Sequence, residues 1–268
     1  MNRSSTREHA ARRGVNVFRS IVPFLIVLSL VSGAFAELPS GEEVMEKSIE
    51  ALGGRAAFAR HQNSLTKGKM SVSGVVMDMT IYNAEPNLLY TLFESDMVGS
   101  MESGCNGEVA WDRSDMQGAS LKDGEELEKA LLDAAFNPQL HWRDRYTSVE
   151  VTAEEEIDGT TCYRTVLTPT VGETLTTYVD TDTWLTVKTE TVSKSDMGSI
   201  SIVTTPSDYR EVDGVMVPFT TDVVLMGAQE MKTVVDSIAF NVDIPEGTFD
   251  LPEEIKQLLS ARQSTQGE

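Results

Sequence analysis

Residues 208–219 read DYREVDGVMVPF, and this stretch decides the fold. It places the dipeptide Asp213-Gly214 between two short runs rich in β-branched and aromatic residues, 209–212 and 215–219. Two-residue hairpin turns need positive φ angles, which an Asp-Gly pair adopts readily. The same alternation of apolar and polar residues extends from Thr160 to Asn241, interrupted by Gly, Asp and Pro. The whole stretch therefore predicts antiparallel strands joined by short turns.

More alternating runs precede this stretch, at residues 64–72, 75–82 and 88–94. Residues 102–107 predict a turn into a short strand that ends at Trp111, and residues 112–123 predict a loop. Further strands are expected at 148–152 and 229–241, which gives about ten or eleven strands in total. In the run 75–82 the side chains alternate between faces, so one face is continuous hydrocarbon. That face carries Val75, Met77, Met79 and Ile81.

Three helices are expected around these strands. Ser40 and Glu43 form a capping box at the start of the first helix, and Gly53-Gly54 ends it. The second helix covers residues 124–136, because apolar residues recur there at helical spacing before Asn137-Pro138. A short third helix is expected at 252–261. The apolar stripes of these helices need a partner, and the sheet is the only large surface available.

The first 36 residues predict an export signal that is not part of the fold. Five arginines precede an uncharged apolar run from Ile21 to Val31, and the small residues Ala34-Phe35-Ala36 follow. The apolar run is too short to cross a bilayer, which needs about 20 such residues. Cleavage near Ala36 would leave no stable membrane insertion and would deliver the chain to the periplasm, or otherwise outside the cytoplasm. An uncleaved anchor is the alternative.

The remaining 232 residues suit one domain with a sizeable core. The leader holds five of the 22 basic residues and one of the 42 acidic residues, so the remainder carries a net charge of −24. This acidic balance disfavours nucleic acid and anionic membrane surfaces as partners. Cys105 and Cys162 are the two cysteines, and export would permit a disulfide. The sequence leaves open whether they pair.

Six segments with turn and strand signals stand in a familiar order along the chain. They are Leu52-Gly53-Gly54, residues 106–111 (NGEVAW), 158–163 (DGTTCY), 178–185 (YVDTDTWL), 208–219 (DYREVDGVMVPF) and 249–252 (FDLP). In this order the chain resembles the LolA/LolB-like superfamily of periplasmic lipoprotein carriers and their relatives, the outer-membrane lipoprotein-sorting proteins. The likeness covers nearly the whole chain after the leader.

The resemblance implies a mainly β fold of the α+β class. Its sheet would be a curved antiparallel half-barrel, with helices covering the concave face and acyl chains held between them. Residues 37–262 would form this single domain, and residues 263–268 a polar tail. The family's lid-closing arginine has no definite counterpart in this sequence.

A lined, partly empty apolar groove is expected, because two or three helices hardly fill the concavity of such a sheet. Methionine suits this role, since its flexible and polarisable side chain adapts to ligands of varied shape. Each such side chain is equally suited to fill a core. Parity along the strands and the helix stripe predict the lining to be Val75, Met77, Met79, Ile81, Leu88, Tyr90, Leu92, Trp111, Leu127, Leu131, Leu175, Val179, Val217 and Phe219.

Catalysis and metal binding find little support. Beyond the leader only His61 and His141 remain, too few for a histidine-rich metal site, and none of the common hydrolase or phosphate-binding motifs occurs. The carboxylates at 154–156, 180 and 182 do not have the spacing of a calcium loop. They fit turn chemistry and solvation instead. No cofactor, metal or catalytic residue is predicted.

The leading hypothesis is an exported, non-catalytic carrier or binder of a lipid or an acylated lipoprotein. An envelope protein is a possible further partner. The alternative is a structural or protein-interaction module of the envelope whose core is packed and holds no ligand.

Overall fold

The computed structural model describes residues 37–195 and 198–266, so the predicted export signal lies outside the described residues. The helices are α1 Gly41–Ala51, α2 Arg55–Phe58, α3 Gly124–Asp133, α4 Trp142–Arg145 and α5 Glu253–Gln266, with a 3-10 turn at Pro138–His141. The strands are β1 Asn63–Val72, β2 Val75–Ala84, β3 Leu88–Ser95, β4 Gly99–Asn106, β5 Ala110–Ser114, β6 Gly118–Leu121, β7 Tyr146–Ile157, β8 Thr160–Pro169, β9 Leu175–Asp180, β10 Thr186–Ser195, β11 Gly198–Val212, β12 Val215–Leu225 and β13 Gln229–Phe240.

The described strands form one antiparallel sheet in the order β6-β5-β4-β3-β2-β1-β13-β12-β11-β10-β9-β8-β7. Strands that are adjacent in the sheet are consecutive in the chain, except for β1 and β13, whose pairing joins the two halves. The sheet is open and is not curled into a closed barrel, because β6 and β7 remain as its edges. The predicted class, mainly antiparallel β with a few helices, is confirmed. The expected ten or eleven strands are too few, since the sheet has 13.

The count is too low because two strands have weak sequence signals. β4 includes most of the segment predicted as a turn, and β6 lies in the segment predicted as a loop. Their sequences, GSMESGCN and GASL, are rich in Gly, which has low strand propensity, and in Ser, which favours turns. Pairing with β3 and β5 holds them in the sheet all the same. Tertiary contacts thus override local preference here.

The central hairpin turn forms as the sequence predicts. Asp213 and Gly214 have φ angles of 48° and 82°, and Val212 pairs directly with Val215. Positive φ at both central residues is the requirement of a type I′ turn. Ser73 and Asp158 occupy the same position in the turns β1–β2 and β7–β8, with φ angles of 50° and 49°.

Helix α1 begins at its predicted cap, where the Ser40 hydroxyl accepts a hydrogen bond of 3.1 Å from the Glu43 amide. Its Glu46 carboxylate then ties three helices together. This group accepts hydrogen bonds from Arg55 of α2 and from Trp142 and Arg143 of α4, at 2.8 to 3.3 Å. Partial burial opposes ionisation of Glu46, but these donors lower its pKa overall.

The helices lie on both faces of the sheet. Phe58 of α2 packs against Val215 of β12, and α3 packs against Cys105 and Ala110 of β4 and β5. Register places these residues on the face that carries Met77 and Met79, which we call the methionine face.

The start of α5 lies on the opposite face, where Arg113 of β5 binds Glu254. The prediction that the helices cover one concave face is therefore wrong for α5. This helix also runs on through residues 263–266, which the sequence assigned to a polar tail. Among residues 37–195 and 198–266, no helix has the length and apolar composition that crossing a membrane requires.

Candidate functional site

The methionine face follows the predicted alternation in β2. Met77 and Met79 are each 4 % exposed, whereas Val76 on the other side of the strand is 53 % exposed. Met77 pairs with Met70 of β1, and Met79 pairs with Phe93 of β3. The two methionines expected to line an open groove are therefore core residues.

Most of the predicted lining lies on this same face. Directly paired residues of antiparallel strands point to one side, so the register can be followed from β2 to β9. Leu127 and Leu131 reach the face from α3, where they pack against Cys105, Ala110 and Ala134. The predicted residues brought to this face are Val75, Met77, Met79, Ile81, Leu127, Leu131, Leu175, Val179, Val217 and Phe219.

Four predicted lining residues lie on the opposite face, which is a correction. Tyr90 pairs with Tyr82 and with Gly104, and Gly104 pairs with Trp111. Tyr82 points away from Met77 and Met79, so Leu88, Tyr90, Leu92 and Trp111 belong to a second surface, the tyrosine face. Strand β3 has apolar residues on both parities, because both of its faces are covered. Alternation therefore does not identify its inner side.

An open cavity of about 560 Å³ lies on the methionine face over strands β3 to β6, and we call it the strand-tip cavity. Its apolar lining is Phe93, Val98, Met101 and Met116, none of which the sequence analysis singled out. Phe93 pairs with Met79 and Met101 pairs with Phe93, so the cavity continues the row of the buried methionines outward. The rest of the lining is polar or charged, apart from Gly118, and consists of Glu102, Ser103, Asp112, Arg113, Ser114, Gln117 and Ser120.

The two hairpin turns beside this cavity are fixed against each other. The Asp115 carboxylate accepts hydrogen bonds from the Ser100 amide at 2.7 Å and from the Ser100 hydroxyl at 3.2 Å. The Asp115 amide in turn donates to the Ser100 carbonyl at 3.1 Å. A rigid base thus holds Met116 next to the strand that carries Met101. Asp112, one of the lining residues, binds the ammonium of Lys122 at 2.6 Å, and Lys122 itself lies outside the lining.

A sequence signal for these turns exists, although it is not one of hydrophobic alternation. The tripeptide Ser-Asp-Met occurs at 95–97, at 114–116 and at 195–197. Two copies form the turns β3–β4 and β5–β6, and in the third copy residues 196–197 lie outside the described residues. Methionine in a short polar turn is unusual, and its repetition at equivalent places marks the strand tips.

The tyrosine face carries a charged network beside an open cavity of about 590 Å³, whose lining includes the predicted residues Tyr90 and Trp111. The Glu102 carboxylate accepts hydrogen bonds from the Tyr90 hydroxyl at 3.0 Å and from Arg113 at 2.6 Å, and Arg113 also binds Glu254. Burial and the neighbouring Glu102 raise the pKa of Tyr90 to about 12. Glu102 and Glu254 raise the pKa of Arg113. This network attaches the start of α5 to the sheet.

The remaining reactive groups have structural surroundings. Cys105 and Cys162 are buried and free, so the structure contains no disulfide between them, and burial raises the pKa of both thiols. His61 is 1 % exposed and stacks on Phe240 at 4.1 Å. Within residues 37–195 and 198–266 no cluster of three or more His, Cys, Asp or Glu side chains is arranged to hold a metal ion.

The Asp180 carboxylate serves its own turn, as expected from turn chemistry. It accepts hydrogen bonds from the Asp182 amide and the Thr183 hydroxyl, both at 2.8 Å. Although partial burial acts in the opposite direction, these bonds lower the pKa of Asp180.

Three solved structures share this arrangement of strands and helices, whereas no protein-family model and no curated protein matches the chain. A LolA superfamily protein from Nitrosomonas europaea has a TM-score of 0.55 at 12 % identity, over 80 % of this chain and 99 % of that one. A putative outer membrane lipoprotein-sorting protein domain from Vibrio parahaemolyticus has a TM-score of 0.55 at 14 % identity, over 82 % and 99 %. A DUF1329 family protein from Desulfovibrio piger has a TM-score of 0.55 at 13 % identity, over 80 % and 98 %. The resemblance expected from the sequence is therefore confirmed as one of fold: the chain has the fold of LolA superfamily and lipoprotein-sorting proteins.

Proposed function

We propose that this protein is a non-catalytic carrier or binder of a lipid or an acylated lipoprotein, and that an acyl chain occupies the strand-tip cavity. The observation that supports this most is an open cavity on the methionine face whose lining includes an apolar group of Phe93, Val98, Met101 and Met116. Its volume falls within the range of about 300–1,000 Å³ typical of small-ligand sites. The fold shared with lipoprotein-sorting proteins agrees with this role.

The lining chemistry suits a hydrocarbon guest of variable shape. Met101 and Met116 have unbranched side chains that adjust to what they contact, and Phe93 offers a flat apolar surface. Each methylene buried there contributes about 0.8 kcal/mol, so a chain with ten buried methylenes gains roughly 8 kcal/mol before the cost of association. The serines and the other polar residues of the lining would meet the polar end of the ligand.

The buried methionines supply the base of this site rather than its lining. Met77 and Met79 are too well covered to contact a ligand in this conformation. None of the lining residues predicted from the sequence lines the strand-tip cavity itself, although Val75, Ile81, Leu175 and Val217 are partly exposed elsewhere on the same face. The proposal therefore moves the centre of the site from β2 to the outer strands.

A carrier of this kind needs no chemical step. The buried thiols have raised pKa values, which keeps them protonated and poorly nucleophilic at neutral pH. The expected export signal would deliver the protein to the periplasm or another extracytoplasmic space. There it would exchange acyl chains with membranes or with lipoproteins.

Uptake of a fluorescent fatty acid by delipidated protein tests the proposal. Met101→Asp places a carboxylate in the cavity at a residue that is already 37 % exposed, so the variant should fold. We expect it to bind the fatty acid at least tenfold more weakly, since a charge is costly to bury. Val192→Asp is the matched control, because Val192 is 50 % exposed on β10 and away from the cavity.

The alternative role is an envelope interaction module with a packed interior, and the close packing of Met77 and Met79 favours it. The same experiment separates the two roles. If wild-type protein takes up no fatty acid, and mass spectrometry finds no lipid or lipopeptide after incubation with envelope extract, the carrier role is contradicted and the interaction module is favoured.

A further inference from the structure

Three exposed methionines stand at the tips of hairpins on one end of the sheet. Met97, Met116 and Met226 occupy the turns β3–β4, β5–β6 and β12–β13 and are 77 %, 80 % and 69 % exposed. Strand order places all three turns at the same end, because antiparallel hairpins alternate between the two ends. We call these three side chains the methionine rim.

Turn chemistry does not explain the methionine at position 226. Its φ angle is 53°, a left-handed conformation that is unfavourable for a long side chain. The equivalent positions in other turns of this sheet carry Ser73, Asp158 and Asp213, the residue types that such turns prefer. An apolar side chain that is strained in its turn and exposed to water contributes little to folding. Contact with another molecule would explain why a methionine occupies this turn.

The unpaired charges in the strands and turns next to the rim are negative, because the nearby cations Lys69, Arg113 and Lys232 each pair with a carboxylate, of Asp78, Glu102 and Asp222 respectively. Residues 94–101 and 114–120 contain Glu94, Asp96 and Asp115 and no Lys or Arg. Within the described chain, neither Glu94 nor Asp96 has an ion-pair partner, and Asp115 is engaged by the neutral Ser100. A surface of flexible thioethers among free carboxylates is complementary to an apolar patch bordered by Lys and Arg.

We propose that the methionine rim docks a basic, amphipathic helical segment of a partner protein. Met116 and Met97 stand on neighbouring hairpins, whose tips are two strands or about 10 Å apart along the sheet. Met226 stands about 20 Å beyond Met97, because the β1–β2 turn lies between their hairpins. An α-helix rises by about 10 Å in seven residues. Apolar residues about seven positions apart on the partner would therefore meet Met116 and Met97 in turn. The carboxylates disfavour a lipid surface as the occupant, because anionic headgroups repel them.

This inference goes beyond the proposed function and is separable from it. Met97 and Met226 do not line the strand-tip cavity, so their substitution leaves the fatty-acid site intact. A variant that loses partner docking and keeps fatty-acid uptake supports the rim without testing the carrier role. Loss of both properties together would point to damage of the whole sheet end.

The test is binding of a fluorescein-labelled 18-residue Leu/Lys peptide with leucines at helical spacing, followed by fluorescence anisotropy. We expect Met97→Ser and Met226→Ser each to weaken binding about tenfold. Asp96→Asn should weaken it at low salt and reduce its salt dependence. Val192→Ser is the matched control for an exposed apolar residue elsewhere. Melting temperatures of all variants verify folding.

Three outcomes would overturn the proposal. The first is a peptide affinity that is the same in the methionine variants as in the wild type. The second is equal binding of a Lys/Ser peptide without leucines, which would reduce the interaction to charge alone. The third is no peptide binding together with rim-dependent binding to phosphatidylcholine vesicles, which would make a lipid surface the occupant.

Discussion

Replacing Tyr209 with phenylalanine should change stability in opposite directions at neutral and at high pH. The Tyr209 hydroxyl donates a 2.9 Å hydrogen bond to the Thr186 carbonyl, which links β11 to the start of β10. Burial raises the pKa of this phenol from 10.0 to about 12. The hydroxyl therefore stabilises the folded protein as long as it is protonated in both states. Between the two pKa values the unfolded chain has already lost this proton and the folded chain has not, so the wild type loses stability there.

The magnitudes follow from these two facts. At pH 7 the variant loses one hydrogen bond, which lowers its free energy of unfolding by about 1 kcal/mol. Between pH 10 and 12 the folded wild type holds a proton that the unfolded chain releases, so wild-type stability falls by about 1.4 kcal/mol per pH unit, or roughly 2.7 kcal/mol in all. Below pH 10 this contribution is fully present. The two proteins should be equally stable near pH 11, and the variant should be more stable at pH 12.

Urea unfolding followed by circular dichroism from pH 8 to pH 12 measures this difference. Other groups, including Tyr90 with its similarly raised pKa, titrate in both proteins, so they cancel when the two are compared. Free energies of unfolding that remain a constant distance apart up to pH 12 would refute the reasoning. The phenol would then titrate alike in the folded and unfolded chains.

Two further substitutions and one labelling experiment test the packing and the polar contacts. Gly104→Ala should lower the free energy of unfolding, measured by urea unfolding, by about 1–3 kcal/mol, because a Cβ there would lie 2.5 Å from the buried Trp111 ring. An unchanged free energy of unfolding would contradict the placement of this ring. Glu46→Gln should lower the free energy of unfolding by about 0.5–1.5 kcal/mol and with it the melting temperature, because the three donors of α2 and α4 lose their charged acceptor. An unchanged melting temperature would mean that the helices are held by packing alone. Cys105 and Cys162 should react slowly with iodoacetamide in the native protein and fully in urea, since burial raises both thiol pKa values; fast native labelling would contradict their burial.

Local chemistry was sufficient to predict the parts of the fold that depend on a few neighbouring residues. The Asp213-Gly214 turn and the Ser40 cap form as expected, because each depends on a specific φ angle or hydroxyl within four residues. The alternation in β2 also gives the correct buried face. Met77 and Met79 on one side of this strand are buried, whereas Val76 and Asp78 on the other side are exposed.

The errors arise where burial or pairing is decided by distant segments. Helix α5 follows β3 by more than 150 residues, yet the segment that leads into it covers the tyrosine face. Both faces of β3 are therefore covered, and apolar residues occur on both. The strand-tip cavity requires the turns of β3–β4 and β5–β6 to meet through Ser100 and Asp115. No periodicity within one strand contains that information. Phe93 and Met101 were therefore missed, although the repeated Ser-Asp-Met marks the place.

Photo-crosslinking with a diazirine-bearing fatty acid tests the acyl-chain site most directly. The delipidated protein would be loaded, irradiated and digested, and the modified peptides located by mass spectrometry. We predict adducts concentrated on Phe93, Met101 and Met116, with competition by unlabelled fatty acid and loss in Met101→Asp. Adducts that are absent, or that spread evenly over exposed residues such as Val192, would contradict the proposal that the strand-tip cavity holds an acyl chain.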